Sequence, residues 1–504
     1  MSFDPTFQAV LEKQVSLRGD AIAIVTGEKQ ISYRDLHAQI LRAAQGYNVM
    51  GLAPRERIAI LLESSIEAVI AIFGAWSAGL IAVPIHVRLK PHQIAHILSD
   101  CLPKVIVTSP WRLQELQANL SLTALRVVTC LDDLGSDTRL VFHRSIDVDA
   151  AAILYTSGST GQPKGVVISH RNLTSGAASV ADYLDIAMDD VILAALPLSF
   201  DAGLSQLTTG FMVGAKVVLH TFLQPNDLAA TCARNAVTAI TAVPPLWRQI
   251  VEAEWTSEAR QDIRRVASTG GHVPGPLLNR LRATFPFARP FLMYGLTEAF
   301  RSTYLDPSCV DEKPGSIGKA IPNNEILVLD EDGQPCSPGG IGELVHRGST
   351  VALGYWNRPE ETAAVFKPLP GRQSGLVPEY AVWSGDLVHL DDEGYLYIHG
   401  RRDELIKSSG YRISPGEIEA VIARAPSVVE SAVFGYNDVN LGQHIVCALV
   451  LAGGGSLIEV GAFARHELPG YMYPVLWELP ELPRLTNGKI DRQLLRSRYA
   501  DSVS

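Results

Sequence analysis

The sequence predicts an α/β protein: a large layered α/β N-terminal domain followed by a small α+β C-terminal domain. Three observations carry this. A length of 504 residues exceeds what one hydrophobic core serves, so at least two domains are expected. Helix-like and strand-like segments alternate over roughly the first 400 residues, the pattern of helices layered on a sheet. From Arg402-Asp403 onward a shorter stretch of about a hundred residues carries its own helix and strand signals.

Taken in chain order, residues 57–62, 104–107 and 216–219, each apolar after an opening Arg or Lys, read as buried strands. Residues 68–85 contain no charge, yet Gly74, Ser77, Gly79 and Pro84 interrupt them. They read as a buried helix ending near Ala78-Gly79 and a strand over 80–83, not as a membrane span. Residues 151–154 and 166–168 read as two short buried strands around a polar loop. Helices are expected over 227–235 and 274–283, the second with a proline in its first turn. Residues 367–379 are dense in Pro and Gly and read as an exposed loop. In the second unit, 415–422 has a helix-start signature and 431–434 and 446–450 read as strands. No internal repeat is visible.

A formal charge of −10 argues against a nucleic-acid surface, which needs clustered Lys and Arg. Six cysteines, Cys101, Cys130, Cys232, Cys309, Cys336 and Cys447, lie far apart without metal-like spacing. Reduced thiols in a cytoplasmic protein are the expectation, and no zinc site is implied. The first residues, Met-Ser-Phe-Asp-Pro, show no basic region or apolar segment suited to export.

The chemistry concentrates in residues 155–166, Tyr-Thr-Ser-Gly-Ser-Thr-Gly-Gln-Pro-Lys-Gly-Val. Gly158, Gly161 and Gly165 are free to take left-handed dihedrals, so backbone N–H groups can converge on phosphate oxygens. Thr156, Ser157, Ser159 and Thr160 add hydroxyl donors, and Lys164 adds a point charge. No Gly-Lys-Ser/Thr follows at Walker spacing, so this is a different phosphate loop.

This segment resembles the phosphate loop of the adenylate-forming superfamily of acyl-CoA synthetases, peptide-synthetase adenylation domains and firefly luciferase. Further blocks follow in that family's order: Tyr294-Gly295-Leu296-Thr297-Glu298, Trp383-Ser384-Gly385-Asp386-Leu387, Gly400-Arg401-Arg402-Asp403 and Leu485-Thr486-Asn487-Gly488-Lys489. Within the family the chain looks most like AMP-forming acyl-CoA ligases of the exosortase-associated type. The resemblance implies a large domain of residues 1–402 holding ATP and a carboxylic acid, and a small mobile domain of residues 403–504 that closes over it, with Asp403 at the hinge. ATP, Mg²⁺ and coenzyme A, or the phosphopantetheine of a carrier protein, are the implied cofactors.

Carried over residue by residue, the resemblance makes Lys489 the catalytic lysine and Glu298 the Mg²⁺ carboxylate. Thr297 would bond the α-phosphate, Tyr294 would lie against adenine, Gly295 would join it in the cofactor site, and Gly270 and Gly271 match regions that line the acyl or adenine pocket. Asp386 and Arg401 would hold the ribose, and Gly410 would border the pantetheine tunnel. The chemistry agrees: a carboxylate attacking the α-phosphorus brings two anions together, so preorganised positive charge is required. One departure is Trp383-Ser384, where the family commonly has Arg or Lys followed by Thr before Gly-Asp.

Phe200, Asp201, Gly203, Trp247 and His272 match regions that line the acyl or adenine pocket in relatives. Asp201 fits the carboxylate that pairs with the substrate's α-amino group in amino-acid-activating relatives, or else is a helix N-cap. Trp247 could equally belong to the core. Arg301 could face an anionic substrate group or make a surface ion pair. Against the amino-acid reading, the segment Ser409-Gly410-Tyr411-Arg412-Ile413-Ser414-Pro415 looks like the acyl-CoA ligase version. Two functions therefore stand: an acyl-CoA synthetase, and a free-standing enzyme that activates an amino acid and loads a carrier protein.

Overall fold

Two sheets, each with a run of parallel strands, give the first unit its frame in the computed structural model. It describes residues 4–119, 125–131, 143–157, 163–370, 377–402, 406–408, 411–425, 427–438, 442–485 and 488–503. Two compact units emerge, one of residues 1–326 and 346–382, the other of 327–345 and 383–504.

In the first unit, one sheet runs in the order Arg126–Val128, Val105–Thr108, Arg57–Leu61, Ile81–Pro84, Ala150–Ser157, Pro163–Ser169. Its strands are parallel except the last pair, which is antiparallel. The helix Ile66–Ser77 and the strand Ile81–Pro84 are both almost wholly buried, as expected for residues 68–85. No helix among the described residues is long and apolar enough to cross a membrane.

The larger sheet carries the site. Arg289–Tyr294, Arg265–Ser268, Ala239–Ala242 and Val191–Ala194 lie side by side and all run parallel. Lys216–Leu219 and Ile22–Thr26 continue the parallel order, with antiparallel Lys29–Ser32 at that end. Such a sheet is covered on both faces, which is why its strands read as unbroken apolar runs. One face packs a core that includes Trp247, Trp255 and Phe285.

The second unit has its own sheet, in which Val428–Asp438 and Gly442–Leu451 form a long antiparallel pair. The helices Pro415–Ile422 and Leu457–Glu467 pack one cluster, and Leu495 and Tyr499 of Arg492–Val503 pack another with Phe434 and Val446. This unit takes in the strand Leu396–Arg401 and its partner residues 386–390, ahead of the boundary expected at 402/403. Glu343 and Leu344 bind that hairpin: Glu343 accepts from the Gly385 N–H at 3.0 Å and pairs with Arg402 at 3.1 Å. Asp403, the expected hinge, lies outside the described residues.

Candidate active site

Loops that leave the carboxyl ends of neighbouring parallel strands are brought side by side, and this edge is where open α/β sheets bind ligands. Val191–Ala194 leads to Phe200 and Asp201, Arg265–Ser268 to Gly270, Gly271 and His272, and Arg289–Tyr294 to Gly295, Thr297 and Glu298. Sequence positions about a hundred residues apart thus share one edge.

The expected phosphate loop is the end of a hairpin. Ala150–Ser157 and Pro163–Ser169 pair antiparallel as far as Thr156↔Lys164 and Ser157↔Pro163, so both strands run further than expected. Thr156 and Lys164 are therefore strand residues. Gly158, Ser159, Thr160 and Gly161, with the side chain of Ser157, lie outside the described residues. Gly165 does not take the left-handed dihedral expected of it: it lies in the strand, where a Cβ would come within 2.5 Å of Ile153 Cγ2. Its role is close packing.

Glu298 sits in the single turn Thr297–Ala299. Its Oε1 accepts a hydrogen bond from the Tyr355 hydroxyl at 2.6 Å. The Tyr355 ring also lies under Lys164 Nζ, 5.6 Å from its centroid, and Lys164 pairs with Glu361. The segment around Tyr355 runs along the hairpin, with Leu353 N–H bonded to Val167 O and Trp356 N–H to Gly165 O. Tyr355 is thus a link between hairpin and Glu298 that motif reading missed; its place in Gly354-Tyr355-Trp356 was the available signal.

Tyr294 stacks on His346 with ring centroids 6.1 Å apart and planes 17° from parallel. Burial pushes the His346 imidazole down to about 3, and neither ring nitrogen has a hydrogen-bond partner among the described residues. Gly270 has φ +76°, a turn that favours glycine, while Gly271 and His272 are exposed. Phe200 stacks on His86 at 5.1 Å, and burial, with help from Arg88, lowers the His86 imidazole to about 4.

Asp201 is the first residue of the helix Asp201–Val213, and Phe200 holds the N-cap position, so the N-cap reading misses by one residue. Its carboxylate meets Arg301: Nη1 lies 3.2 Å from Oδ2. Arg301 is not the surface ion pair considered above, since its side chain is only 6% exposed. One pocket assignment is corrected, and a second residue has a packing reason for its identity. Trp247 is fully enclosed, its indole N–H donating to Ala267 O at 3.1 Å and its ring packed on Phe285, so it is core. Gly203 faces backbone: a Cβ there would come within 2.0 Å of Pro197 O, so its lack of a side chain lets the helix start close to Pro197.

In the second unit, Asp386 and Arg401 are opposite one another on the hairpin, with 3.5 Å between Nη1 and Oδ1. The unusual Ser384 has a structural account. Its hydroxyl donates to Leu344 O at 2.7 Å and accepts from the Asp386 N–H at 3.1 Å, which fixes the backbone at Asp386. Lys489 follows a tight turn in which Gly488, at φ +82°, bonds Leu485 O and Leu485 N–H bonds Lys489 O. The lysine side chain is exposed. Gly410 lies outside the described residues.

The residues present suit a nucleotide and a hard cation: a carboxylate for Mg²⁺, hydroxyls and backbone for phosphate, an aromatic face and a glycine turn for a base. Among the described residues there is no group of three or more His, Cys, Asp and Glu that could hold a metal ion.

Comparison with known proteins bears on both units. Residues 11–356 match the AMP-binding enzyme family and residues 417–489 match the AMP-binding enzyme C-terminal domain. The chain is 33% identical to 2-succinylbenzoate–CoA ligase of Bacillus velezensis, over 98% of each chain. It is 30% identical to a dimodular nonribosomal peptide synthase of Bacillus subtilis, over 99% of this chain and 21% of that protein. The structure of o-succinylbenzoate coenzyme A synthetase from Bacillus subtilis, in complex with ATP and magnesium ion, superposes with a TM-score of 0.84 at 30% identity, covering 97% of this chain and 99% of that one. Agreement of this extent in sequence and in fold has one reading: the chain belongs to the AMP-binding, adenylate-forming enzyme family.

Proposed function

We propose that the protein is an AMP-forming acid–thiol ligase. A carboxylate oxygen of the acid attacks the α-phosphorus of ATP, the bond to the bridging oxygen breaks, and pyrophosphate leaves with the electron pair. A pantetheine thiol, most simply that of coenzyme A, then attacks the acyl carbon and AMP leaves. The observation that carries this is Glu298, held by the Tyr355 hydroxyl at the carboxyl edge of the parallel strands. Glu298 would hold Mg²⁺, which would supply neutralisation of the phosphate charge.

The chain's own residues account for the rest of the first step. Thr297, on the turn of Glu298, would bond the α-phosphate, and Tyr294, stacked on His346, would lie against adenine. Asp386, backed by Ser384, accepts from ribose hydroxyls, with Arg401 beside it. Lys489 supplies the cation for the developing charge on carboxylate and α-phosphate. Rotation of the second unit about Asp403, with Gly410 turned into the site for thiol transfer, is the proposed route between the two steps. The finer placement, in the exosortase-associated subgroup, rests on the sequence resemblance alone. Six cysteines that form no disulfide fit a reducing, cytoplasmic compartment.

The second reading, amino-acid activation for a carrier protein, is favoured by the similarity to the dimodular nonribosomal peptide synthase. It is opposed by the engagement of Asp201 with Arg301. Pyrophosphate release with ATP, Mg²⁺ and a panel of fatty, aryl and amino acids tests the proposal. Lys489→Ala should lower release on the order of a hundredfold or more. Undiminished release from that variant would overturn the role of Lys489, and turnover confined to amino acids would overturn the leading reading.

A further inference from the structure

Arg301 and Asp201 are a hundred residues apart and both stand at the ligand edge of the large sheet. Asp201 follows the strand Val191–Ala194, and Arg301 follows Arg289–Tyr294 by way of Glu298. Arg301 is three positions on from Glu298, at most about 11 Å of chain. The pair therefore lies beside the place where the acid's carboxylate must meet the nucleotide.

Arg301 is locked in place. Nη1 donates to Asp201 Oδ2 at 3.2 Å and to Phe300 O at 3.0 Å, and Nη2 donates to Asp201 O at 3.2 Å. Its own carbonyl accepts from Asn324 Nδ2 and from the Thr350 hydroxyl, each at 3.0 Å. The chain reaches this position through Phe300, which is fully buried and has φ +49°, an unusual backbone for a bulky residue. The Asp201 carboxylate is the more accessible partner, 19% exposed against 6% for Arg301.

We infer that Arg301 is a specificity residue: by neutralising Asp201 it makes a site for monocarboxylic acids that bear no charge beyond the reacting carboxylate. This rests on the ligase reading above and names its substrate class. A bare carboxylate at 201 would attract an α-ammonium, and a bare guanidinium at 301 would attract a second carboxylate. Paired, they offer neither. An ammonium must compete with a guanidinium already bonded three times, and a second carboxylate must displace Asp201; either way a charge is desolvated without a full partner. An uncharged chain or ring brings no such cost.

The test is kcat/KM for pyrophosphate release, without thiol, on matched acids: octanoate, its α-amino and its α-carboxy derivatives; phenylpropanoate, phenylalanine and benzylmalonate. The wild type should favour the singly charged acid of each set on the order of tenfold or more. Arg301→Met should shift the preference toward the α-amino acid, and Asp201→Asn toward the dicarboxylic acid, each by about tenfold. The double variant Arg301→Met/Asp201→Asn should restore the wild-type order, and it carries the test where a single variant does not fold. Unmoved preferences in both single variants, or loss of discrimination in the double variant, would overturn the inference while the ligase reading stands. A wild type that releases no pyrophosphate with any acid would instead overturn the ligase reading.

Discussion

The Tyr355 hydroxyl donates to Oε1 of Glu298 at 2.6 Å, joining the segment beside the hairpin to the turn that carries the carboxylate proposed to hold Mg²⁺. A hydrogen bond to a charged group is worth about 1.5–3 kcal/mol. Tyr355→Phe keeps the ring under Lys164 and removes the hydroxyl that donates to Glu298. It should lower kcat/KM for ATP on the order of tenfold and raise the Mg²⁺ concentration needed for half-maximal pyrophosphate release. An unaltered Mg²⁺ titration would remove Tyr355 from the site.

Gly203 admits no side chain, because the nearest atoms to a Cβ there are the backbone O and C of Pro197, at 2.0 and 2.5 Å. Backbone cannot swing away as a flexible side chain can. Gly203→Ala should therefore cost about 3 kcal/mol, seen as a lower urea midpoint. Since Phe200 and Asp201 open the same helix, the acid's KM should rise as well. A midpoint equal to the wild type would show that the helix start has room to shift.

His346 and His170 are buried, and burial holds their imidazoles down to about 3 and about 4. In the unfolded chain a histidine titrates near 6.5. Below that pH the unfolded state takes up protons that the folded state refuses, so stability rises with pH and falls as pH drops from about 6.5 toward about 4. Each group contributes a slope of up to about 1.4 kcal/mol per pH unit across that window. The urea midpoint should be lower at pH 5 than at pH 7.5. His346→Leu should make that drop smaller, and an undiminished drop would assign the effect to other groups.

The sequence determined what is local. The strands expected over 57–62, 104–107 and 216–219 and found at 57–61, 105–108 and 216–219, the helix-then-strand reading of 68–85 and the glycine turn before Lys489 all follow from periodicity, turn residues and apolar runs within a few positions. The ordered motif blocks were enough to identify the family and to nominate Glu298, Asp386 and Lys489. Ser384 looked like a flaw in its motif because the Leu344 carbonyl that its hydroxyl meets is forty residues away.

Tertiary structure decided which nominated side chains meet. Periodicity says that Trp247 is apolar and near a helix start, but only packing against Phe285 and the Ala267 carbonyl makes it core. Asp201 read as an ammonium ligand or an N-cap as long as Arg301 was a distant residue. The order of parallel strands sets the loops after 194 and 294 along one edge, and the buried turn at Phe300 carries Arg301 back to Asp201. Sequence records the charges; strand order fixes their distances, and at close range in a desolvated site distance decides whether a carboxylate waits for a substrate or is already paired.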